Sequence, residues 1–174
     1  MPLRSDSATV KLELARILFT VEDGLARSCT GVAVLIDTNV LVYRFDPRFP
    51  IKQEIATRIL RSTLESGNAR IPHQAVVEFV AATTRGGTDT RLLSVPDALR
   101  EAEEILSLYP ILYPSEAVLR TALRGFAAYG MSWFDAHLWA YAEVYGLDEI
   151  ISEDFQHGRL YGSVLVQDPF VGAD

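Results

Sequence analysis

Val32-Ala33-Val34-Leu35-Ile36-Asp37-Thr38-Asn39-Val40 is a short aliphatic and β-branched run that stops at a carboxylate followed by two small polar side chains. A run this apolar, too short for a helix and preceded by Gly31, reads as a strand covered on both faces within a parallel sheet. Asp37 then sits at the strand's carboxyl end, the edge where open α/β sheets hold their ligands. Asp-Thr-Asn is also good turn and N-cap chemistry, so capping alone explains Asp37 equally well. Three further acids, Glu78, Asp135 and Asp154, shift the reading, because each stands where a structural carboxylate is awkward or has a second task open to it.

Downstream of this strand, Tyr43 to Pro50 reads as a loop containing Pro47 and Pro50, followed by a helix over 51–66. Its inward stripe is Ile51, Ile55, Ile59, Leu60 and Leu64, with Gly67 as its stop. Residues 68–71 form a candidate second strand, and Pro72 opens a helix over 73–84, where a fixed φ and a missing N–H cost little. Glu78 borders the apolar face of that helix, a placement that is expensive unless a cation such as Arg85 pairs with it. Gly86 begins a loop to residue 95, a helix covers 96–108, and Ile111-Leu112-Tyr113 is a weak third strand.

Ser115 caps the next helix, whose stripe is Val118, Leu119, Ala122, Leu123, Phe126 and Ala127 and whose end is Gly130. The most apolar helix begins at 131–140, where Ser132 and Asp135 approximate a capping box and Asp135 meets the positive end of the helix dipole. A carboxylate has two oxygens, so capping and a second role are compatible. Leu147-Asp148-Glu149-Ile150-Ile151 is a fourth strand ending in Ser152-Glu153-Asp154, which repeats the pattern of Asp37, and Ser163 to Val166 is a fifth.

The chain's 174 residues, 49% of them hydrophobic, suit one globular domain with a full core. Residues 9–28 carry Val10, Leu14, Ile17, Leu18, Val21 and Leu25 at helical spacing, so residues 1–30 read as an amino-terminal helical extension and 31–174 as the domain. Cys29 is the only cysteine, which excludes an intrachain disulfide and a cysteine zinc site and makes a reducing, cytoplasmic compartment the default. Lys11, Glu13 and Arg16 break any secretory signal, and nothing approaches the roughly 20 apolar residues of a membrane span.

Net charge is −7, yet residues 40–91 hold eight Arg or Lys against five acids, whereas residues 92–174 hold four against thirteen. Such a split is either solvated helix faces or a basic rim beside an acidic pocket.

The alternation of strands and helices predicts an α/β fold with a mostly parallel sheet, in which Asp37, Glu78, Asp135 and Asp154 converge at one edge. Four carboxylates in one cleft repel each other unless cations neutralise them or some stay protonated. Oxygen ligands without His or Cys favour hard ions such as Mg²⁺. Phosphodiester cleavage suits such a site, with two ions about 4 Å apart activating water and stabilising the departing oxygen. Bound ions also invert the local field, which lets an acidic protein take a polyanion. His137, on a helix packed with aromatics, reads as a hydrogen-bonded structural histidine; His157, shortly after Asp154, is a weaker candidate for phosphate contact, and His73 carries no catalytic signal.

Ile36-Asp37-Thr38-Asn39, the mid-helix Glu78, Trp133-Phe134-Asp135-Ala136 and Ser152-Glu153-Asp154-Phe155 resemble, in that order, the acidic motifs of PIN-domain ribonucleases, particularly VapC-like toxins of bacterial toxin–antitoxin pairs. The run from Ser152 to Gly158 and Asp168-Pro169-Phe170 resemble one bacterial subgroup, so the likeness spans about residues 32–170. The resemblance implies a single three-layer α/β/α domain, Mg²⁺ or Mn²⁺ dependence, endonucleolytic cleavage of RNA, a homodimer and a cognate antitoxin. It implies Asp37, Glu78, Asp135 and Asp154 as the metal-binding acids with Asn39 and Ser152 in support, Glu153 being the alternative to Asp154. The amino-terminal extension departs from the family pattern. Two other classes remain open to test: an Mg²⁺-dependent phosphotransfer or receiver-like domain, and a non-cleaving domain that binds RNA or protein. Asp37-Thr38-Asn39 lacks the second Asp a phosphatase needs, and no convincing phosphate-contacting Lys follows a late strand.

Overall fold

A computed structural model describes residues 32–173. The proposed amino-terminal helix, Gly31 and Cys29 lie outside the described residues. Element order is β1 (Val34–Ile36), α1 (Thr38–Tyr43), α2 (Pro50–Ser66), β2 (Ala69–Pro72), α3 (His73–Thr84), α4 (Val95–Leu108), β3 (Ile111–Leu112), α5 (Glu116–Tyr129), α6 (Trp133–Tyr145), β4 (Glu149–Ile151), β5 (Leu160–Tyr161) and β6 (Val164–Gln167).

The strands form one sheet in the order β3-β2-β1-β4-β6-β5, parallel throughout except for the β5–β6 hairpin. β1 is central and buried on both sides: Val34 and Ile36 face a core shared with α1 to α4, and Leu35 faces a second core built on α5 and α6. Alternation along a single strand therefore supplies two hydrophobic layers, and the three-layer α/β/α architecture follows. From β1 the chain moves outward to β2 and β3, then returns across the sheet to β4 on the other side of β1. That reversal makes the carboxyl ends of β1 and β4 a topological switch point, the crevice where this class of sheet binds ligands.

Several elements differ from the sequence expectation. Residues 38–43 are helical, because Val40 and Leu41 drop into the first core even though this β-branched segment has poor helix propensity. In α2 the buried side is Ala56, Leu60 and Thr63, while Ile51 faces solvent. In α5 it is Val118, Thr121, Ala122 and Gly125, while Leu119, Leu123 and Phe126 are exposed. The reason is Trp139 of α6, whose ring needs a shallow partner: a Cβ on Gly125 would lie 2.4 Å from Trp139 Cζ3. Gly67 and Gly130 end their helices with φ of 69° and 66°, in the left-handed region the caps require.

Candidate active site

Asp37 closes β1 and caps α1, so the turn chemistry seen in its sequence is present. Its Oδ1 accepts from the Thr38 backbone N–H at 2.6 Å, and its Oδ2 accepts from Ser152 Oγ at 2.6 Å and Asn39 Nδ2 at 3.1 Å. Ser152 is fully buried just past β4, the neighbour of β1, so the switch point itself brings these groups together. Asn39 Nδ2 also points at Ser152 Oγ and Asp154 Oδ2, both at 3.2 Å. One amide thus spans Asp37 and Asp154, whose like charges would otherwise drive them apart. Asn39 Oδ1 is buried without a partner among the described residues.

Glu78 enters from α3, which starts where β2 ends at the same sheet edge. Its two oxygens accept from Thr38 Oγ1 and Gln74 Nε2, both at 2.9 Å, so α1 and its own preceding turn orient it. No ion pair with Arg85 forms among the described residues; polar donors take the place of the expected cation. Asp135 lies in the first turn of α6, where its backbone N–H donates to Ser132 Oγ at 3.1 Å. The cap therefore uses the Asp135 main chain and leaves its carboxylate facing the cleft. Gln74 Nε2 also donates to Phe134 O at 3.2 Å, pinning α3 to that first turn.

Asp37, Glu78, Asp135 and Asp154 line one open cleft of about 380 Å³, together with Thr38, Gln74, Phe134, Leu138 and Arg85. Burial, followed by the charges of Asp154 and Glu78, pushes the Asp37 carboxyl up to about 7, against the pull of its Ser152 and Thr38 hydrogen bonds. Asp154 is likewise raised, first by burial and then by Asp135, Glu153 and Glu78, with Asn39 opposing. Both carboxyls are raised chiefly because burial disfavours the charged form, and the neighbouring acids add to it.

Glu153 is turned away: its carboxylate accepts from Tyr43 OH at 2.6 Å and Lys52 Nζ at 2.7 Å, and that ammonium lies among the rings of Tyr43, Phe49 and Phe170. Asp154, not Glu153, lines the cleft. His137 Nδ1 meets Gln74 Oε1 at 2.7 Å, the hydrogen-bonded arrangement expected of a structural histidine, and burial lowers its imidazole pKa. His157 Nδ1 accepts from the Asp168 backbone N–H at 3.0 Å. Gln74 and Thr38 were missed by sequence reading; the only signal was the i, i+4 spacing of Gln74 and Glu78 on one helix face.

Among the described residues, no three His, Cys, Asp or Glu side chains converge tightly enough to enclose a bare ion. The donors are all oxygen, and Asp37 and Asp154 both reach Asn39 Nδ2, so two carboxylates front one small volume. This arrangement fits a hard divalent ion that keeps part of its water shell and bonds only a few carboxylates.

The family model described as PIN domain matches residues 34–162. A search of curated proteins finds no match. Among solved structures, a toxin-antitoxin complex from Klebsiella pneumoniae is similar at 19% identity and a TM-score of 0.56, covering 79% of this chain and 98% of that one. A DNA-bound VapBC from Salmonella typhimurium is similar at 14% identity and a TM-score of 0.58, covering 80% and 99%. VapC20 from Mycobacterium tuberculosis, described as a sarcin-ricin loop cleaving toxin, is similar at 13% identity and a TM-score of 0.53, covering 68% and 87%.

Proposed function

This chain belongs to the PIN-domain family, and from that premise we propose that it is a metal-dependent endoribonuclease, the toxin of a toxin–antitoxin pair acting in the cytoplasm. The observation that carries the reading is that four carboxylates from four separate segments line one cleft at the switch point of the sheet. The names of the similar structures, a toxin-antitoxin complex and a sarcin-ricin loop cleaving toxin, lend support. Among the described residues no helix is long and apolar enough to cross a membrane.

Asp37, Glu78, Asp135 and Asp154 would hold Mg²⁺ or Mn²⁺. Bound there, such an ion supplies positive charge that lowers the pKa of an attacking water and offsets the charge of the phosphodiester. The chain's own groups do the positioning. Ser152 and Asn39 fix the Asp37 rotamer, and Thr38 and Gln74 aim Glu78. Leu138 and the exposed Phe134 give the cleft apolar lining, and Arg85, which also lines it, would meet a phosphate. A cognate antitoxin and a homodimer complete the proposal, the exposed apolar side chains Leu119, Leu123 and Phe126 on α5 supporting association.

The test is cleavage of a structured RNA by the purified chain with Mg²⁺ or Mn²⁺, with EDTA, and by an Asp37→Asn variant whose circular dichroism matches the parent. We expect EDTA to stop cleavage and Asp37→Asn to lower it by about a hundredfold or more. RNA binding without any metal-dependent cutting favours the non-cleaving alternative, and a covalent phosphoenzyme at Asp37 favours phosphotransfer.

A further inference from the structure

A second concavity, of about 550 Å³, lies on the outer side of α2 and is lined by Arg44, Arg58, Arg61, Gln53, Thr57 and Glu54. Positions 54, 57, 58 and 61 recur at three- and four-residue spacing, so the helix presents them on one face, opposite the buried Ala56, Leu60 and Thr63. Arg44 forms the facing wall: it follows α1, and Gln53 Nε2 donates to its backbone oxygen at 3.0 Å, which pins the wall to α2. Three guanidinium groups face one carboxylate here, in a chain whose net charge is −7. Arg44 reaches Glu101 only at 4.0 Å, and Arg58 and Arg61 make no ion pair among the described residues. Of the other cations of the basic stretch, Lys52 is engaged with Glu153, Arg48 with Asp46, and Arg70 with the backbone oxygens of Gly67 and Ala69, while Arg85 lines the acidic cleft itself.

We propose that this arginine-lined groove is an RNA-phosphate subsite that holds the strand beside the bond to be cut. The six residues of α1 separate Asp37 at its N-cap from Arg44 at its C-cap, about 10 Å along its axis, so groove and acidic cleft are joined by one short helix. Guanidinium groups suit phosphate because their planar donors match its oxygens, and Thr57 and Gln53 add neutral donors that a phosphodiester accepts. An acidic cleft alone repels a polyanion. A basic groove one helix away supplies the attraction and sets the strand's direction. The inference rests on the ribonuclease reading.

The test is fluorescence anisotropy of the full chain with a short labelled single-stranded RNA in EDTA, so that binding is read without cutting. The variants are Arg58→Ala/Arg61→Ala and, as an equal-charge control on α5, Arg120→Ala/Arg124→Ala. We expect the groove variant to bind about tenfold more weakly, with a salt slope shallower by about 1.4, and the control to match the parent. Equal binding by the two double variants, or no RNA binding by the parent, overturns the proposal. So does Arg58- and Arg61-dependent binding of an acidic peptide without RNA binding. Metal-dependent cleavage lost in Asp37→Asn, with unchanged affinity in the groove variant, sinks the subsite and leaves the nuclease. Groove-dependent RNA binding without any cleavage does the reverse.

Discussion

Asp37 is 6% exposed, and burial, before any neighbour's charge, is what holds its carboxyl near 7. In the unfolded chain the same group titrates near 4. A carboxyl raised on folding contributes stability that is fully present below about pH 4 and is lost as pH rises through about 7. In metal-free protein the stability of the parent relative to Asp37→Asn should therefore fall across that window, by on the order of 4 kcal/mol. Urea unfolding of both proteins at a series of pH values in EDTA measures it, and a difference that stays flat contradicts the burial argument. Ser152→Ala removes the 2.6 Å hydrogen bond that opposes this rise. We expect it to weaken Mn²⁺ binding by about 10- to 100-fold, read by calorimetry, with the fold retained. At this scale Asp37, Asp135 and Asp154 stood out because strand ends and helix starts are marked by composition, and Glu78 because it borders the apolar face in the middle of its helix. The choice between Glu153 and Asp154 was not, since it depends on Lys52 and Tyr43, distant in sequence, drawing Glu153 aside. Gln74 was equally hidden, its contact with Phe134 O crossing sixty positions.

The α5–α6 pair displays what limits sequence reading of elements. Periodicity located α5 and its buried Val118 and Ala122, but turned Leu119, Leu123, Phe126 and Ala127 inward as well, where the fold instead buries Thr121 and, under Trp139, Gly125. Trp139 cannot move to relieve a clash, because its Nε1 donates to Tyr161 O at 2.8 Å and its ring packs edge-on against Tyr129. Gly125→Ala should accordingly destabilise the protein by about 1–3 kcal/mol through overpacking, despite alanine's better helix propensity. Thermal unfolding checks this, and an unchanged or raised midpoint would show that the pair can open. α1 escaped detection for a related reason: six residues rich in Val and Thr do not form a helix alone, and only burial of Val40 and Leu41 makes them one. The β5–β6 hairpin was half seen, with β5 a two-residue strand too short to leave a periodic signal.

Over the whole molecule, the order β3-β2-β1-β4-β6-β5 brings residues more than a hundred positions apart to one edge. The mostly parallel sheet was legible from strand and helix alternation; which two strands flank the switch point was not, because strand order depends on long-range packing. An ion that binds only the folded state stabilises it by mass action, so Mn²⁺ at about a hundred times its dissociation constant should add roughly 2.7 kcal/mol. The same addition should leave Asp37→Asn/Asp154→Asn nearly unmoved in a thermal scan. The most direct measurement is anomalous diffraction from crystals soaked in Mn²⁺. A peak is expected within the cleft, between Asp37, Glu78, Asp135 and Asp154; a well-soaked crystal with no peak there, or with Mn²⁺ only at other carboxylates, contradicts a metal-holding role for these four acids.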